Sequence, residues 1–282
     1  MSFVNTEQAE FWSERAQSWF EFEDLLNEVA GPPGRLAMDR LGLLPGQKVL
    51  DLGCGTGGTT MELASRVGPE GEVVGADIAA EMLVRAKQRA QQAGASNVSF
   101  IQADVQVHDL GEGRFDAAFS RFGVMFFADP VAAFANVRKA LKPEGTLSFV
   151  CWQGVFENEW MLLPGAAVMG VIGSLPPLPG PEEPGPFSLA EPDRVRAVLE
   201  GAGFVSVDVA SRSDTFAIEE PRIEVFARSA MQVGALREAL KDADDETRSR
   251  SLAAIEEAIR SRLAGGEAKV SRGVHLVVGH AG

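Results

Sequence analysis

The chain has 282 residues, of which 45% are hydrophobic and 23% charged, and its formal net charge is −14. These values are typical of a globular protein, and the length fits one α/β domain with additional elements better than two equal domains. The acidic balance, with no cluster of Lys and Arg, argues against a nucleic acid or anionic membrane partner, because phosphates must be met by clustered cations.

The cysteine content, the N-terminal residues and the hydropathy of the chain indicate the cellular compartment of the protein. Cys54 and Cys151 lie far apart in the sequence and predict neither a disulfide framework nor a metal site. Glu7 and Glu10 stand where a signal peptide would be basic and apolar, and the apolar run 161–173 is too short to span a bilayer. We therefore expect a cytoplasmic protein, without a membrane span, whose partner is a small molecule.

Residues 48–67 read as a strand, a glycine-rich turn and a helix. Val49 and Leu50 form an apolar run typical of a buried parallel strand, and Gly53, Gly55 and Gly58 follow with the spacing G-x-G-x-x-G. This order is typical of the start of a nucleotide-binding domain. The glycines alone fit a dinucleotide site and an S-adenosylmethionine site equally.

A carboxylate, Asp51, stands at the end of this first strand, just before the glycine turn. Open α/β sheets bind ligands in the crevice at this carboxyl edge. A carboxylate aimed at the turn would repel a pyrophosphate but would suit the ammonium group of a methionine moiety. Asp51 therefore favours S-adenosylmethionine, while an NAD-dependent oxidoreductase remains the alternative that the glycines allow.

Two further carboxylates follow apolar strands in the same register. Asp77 ends the second strand about 20 residues beyond the glycine turn, where an acidic residue accepts hydrogen bonds from ribose hydroxyls. Ile78 and Met82 lie close enough to line an adenine pocket. Asp104 follows the third strand, where it could accept the exocyclic amine of adenine while Val105 covers the ring.

The fourth strand opens into an apolar loop at the same edge of the sheet. Ser120 is placed there to offer backbone groups to the amino acid end of the cofactor. Phe126 or Phe127 in this loop could face an apolar substrate or belong to the core. The predicted substrate pocket consists of Trp19, Phe126, Phe127, Trp152 and Trp160.

The N-terminal segment 6–29 is rich in aromatic and acidic residues. Its apolar spacing predicts one helical face or two short helices, which either pack onto the core or form a lid that excludes water from the cofactor crevice. The sequence GPPG at 31–34 predicts a break in the chain after this segment.

The pattern changes after residue 152. Six prolines between 176 and 186 exclude a helix or a central strand there. We predict an insert that is either a variable surface loop or the wall that selects the acceptor. Residues 188–191 read as a capping box that starts a helix, and residues 220–263 read as helical.

Alternation of strands and helices between 48 and 152 predicts right-handed crossovers and a doubly wound, Rossmann-like parallel sheet. A sixth strand over 204–209 precedes a last strand over 268–278, which should return antiparallel beside it. We predict four parts: an N-terminal helical lid (1–40), a cofactor-binding core (41–152), a Pro-rich insert on the substrate side (153–187), and the C-terminal part of the core sheet with additional helices (188–282).

Four motifs carry a resemblance to a known family. They are VLDLGCGTG at 49–57, GADI at 75–78, QADV at 102–105 and LKPEGTL at 141–147. With these motifs the chain resembles the class I S-adenosylmethionine-dependent methyltransferases, and more narrowly the small-molecule group similar to ubiquinone- and menaquinone-pathway methyltransferases. The match spans about residues 41–152 and is loose outside that range.

The resemblance implies a seven-stranded, mostly parallel sheet with an antiparallel hairpin at one edge. It also implies S-adenosylmethionine as the cofactor and S-adenosylhomocysteine as the product. Motifs and strand ends together predict the cofactor-binding residues Asp51, Gly53, Cys54, Gly55, Gly57, Asp77, Ile78, Met82, Asp104, Val105 and Ser120.

The reaction implied is direct displacement, in which a nucleophile on the acceptor attacks the methyl carbon of the sulfonium. Because the cofactor carries the activation, the protein mainly supplies alignment and water exclusion, and no catalytic base or metal is predicted. The leading hypothesis is an enzyme that methylates an O, N or C centre of a small, partly apolar molecule. An NAD-dependent oxidoreductase and a non-catalytic S-adenosylmethionine binder are the alternatives.

Overall fold

The computed structural model describes residues 3–282 as an α/β fold built around one sheet. Two helices precede the first strand, and three helices lie between the last long strands. In chain order the elements are α1 (Thr6–Glu21), α2 (Glu23–Asp39), β1 (Lys48–Leu52), α3 (Gly58–Val67), β2 (Glu72–Asp77), α4 (Ala80–Gln92), β3 (Val98–Gln102), β4 (Phe115–Arg121), α5 (Pro130–Ala140), β5 (Leu141–Trp152), α6 (Glu159–Ile172), α7 (Pro192–Gly201), β6 (Val205–Glu219), α8 (Ile223–Val233), α9 (Leu236–Ala239), α10 (Asp245–Arg260), β7 (Leu263–Ala264) and β8 (Glu267–His280).

The sheet has the strand order β3-β2-β1-β4-β5-β8-β6, with β7 paired to β8. Strands β1 to β5 are parallel, whereas β8 runs antiparallel to both β5 and β6. The predicted doubly wound, mostly parallel sheet with an antiparallel last strand is confirmed. The sheet has eight strands instead of seven because the two-residue β7 pairs with the first residues of β8.

The parallel strands of the sheet are apolar because they are buried. Val49, Leu50 and Leu52 of β1 are almost completely buried, because helices cover both faces of a parallel sheet. Helices α3 and α4 pack on β2 and β3, and α2 packs on β4, β5 and β8. Because β1 to β4 are parallel, their carboxyl ends lie at the same edge of the sheet.

Helix α2 passes through the predicted break at 31–34. Pro32 and Pro33 lie inside the helix, so that prediction was wrong. Leu25, Val29 and Met38 on either side of the prolines are buried, and burying such side chains stabilises a fold by about 1.5–3 kcal/mol each. This burial offsets the roughly 3 kcal/mol that an interior proline costs a helix.

The predicted capping box at 188–191 was also wrong. Helix α7 begins at Pro192, and Glu191 at its N-cap makes no side-chain capping bond. The hydroxyl of Ser188 instead donates to the Met125 carbonyl oxygen at 2.6 Å. Proline at the first helical position has its φ already set for a helix, which favours the later start.

The C-terminal third departs from its predicted boundaries. Strand β6 extends to Glu219, well beyond the six residues predicted, and the additional helices expected over 220–263 are present as α8, α9 and α10. The predicted insert contains α6, which packs against α10 before the proline-rich stretch. A second apolar core therefore forms under these helices, where Val168 of α6 meets Phe226, Ile255 and Ile259.

None of the helices within residues 3–282 combines the length and the apolar composition that crossing a bilayer requires.

Substitution of Gly57 tests how closely the glycine turn is packed. Gly57 has φ +80°, and a Cβ there would lie 2.9 Å from the Ala86 Cβ and 3.2 Å from the Phe100 ring. We expect Gly57→Ala to lower the free energy of unfolding by about 2–4 kcal/mol, from left-handed strain and overpacking together. Gly94→Ala is the matched control, because Gly94 has φ +64° and a Cβ added there would have nothing within 4 Å.

Urea unfolding of the two variants separates the cost of the left-handed backbone from the cost of overpacking. Gly94→Ala should cost about 1–2 kcal/mol, from backbone strain alone. Equal losses in the two variants would show that the contacts with Ala86 and Phe100 add nothing.

Candidate functional site

A cavity lies at the carboxyl edge of β1 to β4, partly covered by α1. Its volume is about 130 Å³, and it is partly open to solvent. Its lining residues are Asn5, Gln8, Trp12, Trp19, Gly53, Gly55, Ala76, Asp77, Ile78, Met82, Ala103, Asp104, Val105, Arg121, Phe122, Gly123, Phe126 and Phe127.

The glycine turn is held against the end of β2. The N–H groups of Gly53 and Cys54 both donate to the Ala76 carbonyl oxygen, at 2.8 and 3.1 Å. Gly53 has φ +64°, and a Cβ there would lie 3.0 Å from the Gly123 Cα. Glycine is needed at this position because the backbone adopts a left-handed conformation and passes close to the turn after β4.

Asp77 joins the turns that follow β1 and β2. Its Oδ2 accepts from the Gly55 N–H at 2.8 Å, and its Oδ1 accepts from the Ala79 N–H at 2.9 Å. Burial raises the pKa of this carboxyl, and the hydrogen bonds from backbone N–H groups oppose the rise. A carboxylate offers about four acceptor positions, so Asp77 keeps capacity for ligand hydroxyls at the cavity wall.

Asp51 lies behind the glycine turn and does not line the cavity. Its Oδ2 accepts from the hydroxyls of Thr59 and Thr60, both at 2.7 Å, and its Oδ1 has no hydrogen-bond partner among residues 3–282. Burial raises the pKa of this carboxyl to about 6, although both threonines and the positive charge of Arg121 oppose the rise. Its predicted contact with a cofactor ammonium stays a prediction.

The N-terminal segment is bound to Asp104. Oδ2 of Asp104 accepts from the Val4 and Asn5 N–H groups, both at 2.9 Å, and Oδ1 accepts from Asn5 Nδ2 at 2.7 Å and the Gln106 N–H at 3.1 Å. Asn5 Oδ1 in turn accepts from the Ala128 N–H at 3.0 Å. An adenine amine would therefore have to share or replace these donors in order to reach Asp104.

Aromatic rings form the outer wall of the cavity. Trp12 stands edge-on to Trp19 and to Phe126, with ring centroids 5.5 and 4.9 Å apart. Ala16 of α1 packs with Met82 and with these tryptophans in a small apolar cluster. Helix α1 thus covers the side of the cavity that the sequence assigned to adenine.

Ten of the predicted site residues line the cavity and six do not. The lining set is Trp19, Gly53, Gly55, Asp77, Ile78, Met82, Asp104, Val105, Phe126 and Phe127, and the others are Asp51, Cys54, Gly57, Ser120, Trp152 and Trp160. Ser120 Oγ donates to the Leu52 carbonyl oxygen at 2.8 Å and so joins β4 to β1. The roles of all these residues remain predictions.

Two predicted pocket residues, Trp152 and Trp160, lie behind the wall. The Trp152 ring stacks on Phe122 with centroids 3.8 Å apart, and Trp160 lies 5.2 Å from Trp152. Sequence position after β5 did not distinguish a ring that lines the cavity from one that supports it. Phe122 is the member of this stack that reaches the cavity.

Sequence reasoning assigned no role to several residues at the wall. Arg121 is the last residue of β4 and was assigned no role, although a cation among strand-end carboxylates is a distinctive signal. Trp12 was grouped with the other N-terminal aromatic residues. Asn5 and Gln8 carried no recognisable motif, because they reach the cavity only through the path of the N-terminal segment.

The pKa of Asp51 predicts a pH effect on stability. Since the folded chain holds this proton more tightly than the unfolded chain, the contribution of Asp51 to stability is greatest below about pH 4 and is lost as pH rises through about 6. Asp51→Asn removes this titration. Between pH 4 and pH 7 we expect the free energy of unfolding of the wild type to fall by up to about 3 kcal/mol relative to that of the variant. Urea unfolding measures this difference, and a pH-independent difference would contradict it.

Asp104→Asn tests how the N-terminal segment is held. The amide keeps one acceptor oxygen but places an NH₂ group against the N–H donors. We expect this change to lower the free energy of unfolding by about 1–3 kcal/mol. Limited proteolysis should therefore cleave residues 3–22 several-fold faster in the variant, and the exposed Asp242→Asn is the matched control. Equal cleavage rates in the two variants would contradict this arrangement.

Comparison with known proteins places this site in a family. A family model described as a methyltransferase domain matches residues 43–156. A demethylmenaquinone methyltransferase of Staphylococcus carnosus is 30% identical over 176 residues, which cover 59% of this chain and 71% of that protein. A ubiquinone/menaquinone biosynthesis C-methyltransferase of Ectopseudomonas mendocina is 38% identical over 130 residues, which cover 44% of this chain and 51% of that protein.

Structural comparison agrees on the fold. The YcgJ protein of Bacillus subtilis superposes with a TM-score of 0.59 at 17% identity, over 89% of this chain and 98% of that one. The match spans about half the length of several curated relatives. The matched residues include the glycine turn, Asp77 and Asp104, and the chain belongs to the class I S-adenosylmethionine-dependent methyltransferases, in the group similar to the ubiquinone- and menaquinone-pathway enzymes.

Proposed function

We propose that the chain transfers a methyl group from S-adenosylmethionine to an O, N or C centre of a small, partly apolar molecule. The observation that carries the proposal is the position of Asp77, which lines the cavity while the Gly55 and Ala79 N–H groups hold its carboxylate. This carboxylate faces the same cavity as the apolar side chains of Ile78 and Met82.

The residues at the wall fit the chemistry of this cofactor. Asp77 would accept hydrogen bonds from the ribose hydroxyls, and Ile78, Met82 and Val105 would cover the faces of the adenine. When bound, S-adenosylmethionine supplies a methyl group already activated by its sulfonium. The methyltransferase family to which the chain belongs supports this cofactor over a dinucleotide.

The protein would contribute alignment and water exclusion. Trp12, Trp19 and Phe126 form an apolar wall over the cavity, and such a wall keeps water from competing with the acceptor for the methyl group. The same rings would bind the apolar part of an acceptor. The names of both quinone-pathway relatives support a partly apolar acceptor of this kind.

The test combines binding and turnover. By calorimetry, the wild type should bind S-adenosylhomocysteine more tightly than NAD, and Asp77→Ala should weaken that binding by about 1–3 kcal/mol. The exposed Asp193→Ala is the control for removal of a carboxylate. Incubation with a metabolite extract and S-adenosylmethionine should then give a product heavier by one methyl group, which identifies the acceptor.

Three results would count against the proposal. Tighter binding of NAD would favour the oxidoreductase, and binding without any methylated product would favour a non-catalytic binder. Unchanged affinity in Asp77→Ala, with an unchanged unfolding midpoint, would remove the ribose role of Asp77.

A further inference from the structure

Arg15 is a buried cation on the side of α1 that covers the cavity. It lies three residues after Trp12 and four residues before Trp19, and both tryptophans line the cavity. Residues three and four apart share one face of a helix, so Arg15 belongs to the same face of α1 as these rings. Only 6% of Arg15 is exposed. The cation therefore lies beside the cavity wall instead of in solvent.

The guanidinium of Arg15 is weakly paired for a buried charge. Its Nη1 donates to the Phe11 carbonyl oxygen at 3.1 Å, and its Cζ lies 3.5 Å from the centroid of the Phe11 ring. Its Nε is buried without a hydrogen-bond partner among residues 3–282. Its ion-pair partner is Glu14, at 4.0 Å, whose side chain is 70% exposed. Such an exposed pair contributes little, so the cost of removing this cation from water is not offset.

A second cation, Arg237 of α9, lies on the same side of α1. Its Nη1 donates to Ser18 Oγ at 3.2 Å, and Ser18 follows Arg15 by three residues. Burial lowers the pKa of the Arg15 guanidinium, and the positive charge of Arg237 lowers this pKa further, although nearby carboxylates oppose both effects. Two cations held close together out of water favour the binding of an anion between them.

The cavity wall next to Arg15 combines aromatic rings with a polar group. The centroid of the Phe11 ring lies 5.3 Å from that of Trp12 and 6.4 Å from that of Phe126, and these two rings line the cavity. Gln8, one turn before Trp12, also lines the cavity, and its buried Oε1 has no hydrogen-bond partner within the described part of the chain. A ligand there would meet aromatic rings, an amide oxygen that accepts a hydrogen bond, and a cation at the edge of the rings.

We propose that Arg15, supported by Arg237, binds an anionic group of the methyl acceptor, and that the acceptor is an aromatic compound with a carboxylate. This inference rests on the proposed function and narrows its acceptor class. A guanidinium binds a carboxylate through paired N–H donors, which fixes the orientation of the bound molecule as well as its position. Trp12 and Phe126 would pack against the aromatic part of that molecule.

The experiment compares two probes that differ in charge. They are ortho-hydroxynaphthoate and its carboxamide, which share the fused rings and the hydroxyl group. Their binding to the full chain, saturated with S-adenosylhomocysteine, is measured by calorimetry. We expect the wild type to bind the naphthoate about 10- to 100-fold more tightly than the carboxamide, because only the naphthoate forms a charge-assisted pair with Arg15.

Arg15→Met keeps an extended side chain and removes its charge. We expect this variant to bind the naphthoate about 10- to 100-fold more weakly, and to bind the carboxamide within about twofold of wild type. Arg15→Lys should fall between the two, because an ammonium keeps the charge without the paired donors. The exposed Arg250→Met is the matched control for the loss of a cation, and it should leave the affinity for both probes unchanged.

Two further measurements distinguish ligand binding from a structural role. Without a probe, the unfolding midpoint of Arg15→Met should equal or exceed that of the wild type, because an apolar side chain replaces a buried cation that lacks a close carboxylate. Each variant should also bind S-adenosylhomocysteine as tightly as the wild type does. That result would show that the anion bound by Arg15 belongs to the acceptor and not to the cofactor.

Other outcomes overturn the inference. The wild type might bind the naphthoate no more tightly than the carboxamide, or bind neither, while it still binds S-adenosylhomocysteine; either result would contradict the inference alone. A lower unfolding midpoint in Arg15→Met, with both probes weakened equally, would make Arg15 a structural residue of α1. Weaker binding of S-adenosylhomocysteine in this variant would assign the anion to the cofactor. If the wild type failed to bind S-adenosylhomocysteine, the proposed function would fail, and this inference with it.

Discussion

The site depends on the carboxylate of Asp77 and the two backbone N–H groups that it accepts. One bond reaches Gly55 in the turn after β1, and the other reaches Ala79 at the start of α4. The neighbouring Ala76 carbonyl oxygen adds two more bonds from the same turn. These contacts hold the turn against the sheet. The same carboxylate therefore joins the turn after β1 to the start of α4 and lies at the cavity wall.

The N-terminal helices complete a cavity that the matched family region builds only in part. Trp12 and Trp19 of α1 supply its outer wall, and Asp104 holds the segment that precedes them. At the start of α2, Glu23 accepts from the Thr56 hydroxyl and forms a 2.6 Å ion pair with Arg89. The N-terminal part is therefore bound to the strand ends at separate points, and those points are polar contacts at buried acids.

Sequence reasoning reached the sheet and its binding edge because both follow from short-range patterns. Apolar runs that end in Asp51, Asp77 and Asp104 identified the strands, and glycines identified the turn between β1 and α3. The same reasoning failed where distant contacts decided the outcome. Pro32 and Pro33 stay helical because of burial on the sheet, which no local signal reports.

The candidate site residues show the same contrast between short-range patterns and distant contacts. Residues at the end of a strand or directly after it, such as Asp77 and Ile78, line the cavity, because strand direction fixes where the chain emerges. Asp51 and Trp152 were also near strand ends, but their side chains point behind the wall, where hydroxyl groups and a stacked ring hold them. Side-chain direction at a strand end depends on packing from other elements.

The position of β8 has a consequence for how the chain folds. This strand is the last in the sequence, yet it lies between β5 and β6 and is hydrogen-bonded to both. During synthesis β1 to β5 emerge first, and β5 remains an open edge until residues 267–280 arrive. Insertion of a late strand between two earlier ones involves long-range pairing, which is slow and leaves an edge exposed to aggregation. The half of the sheet that forms the cavity can assemble early, whereas completion of the other half must wait until residues 267–280 have been synthesised.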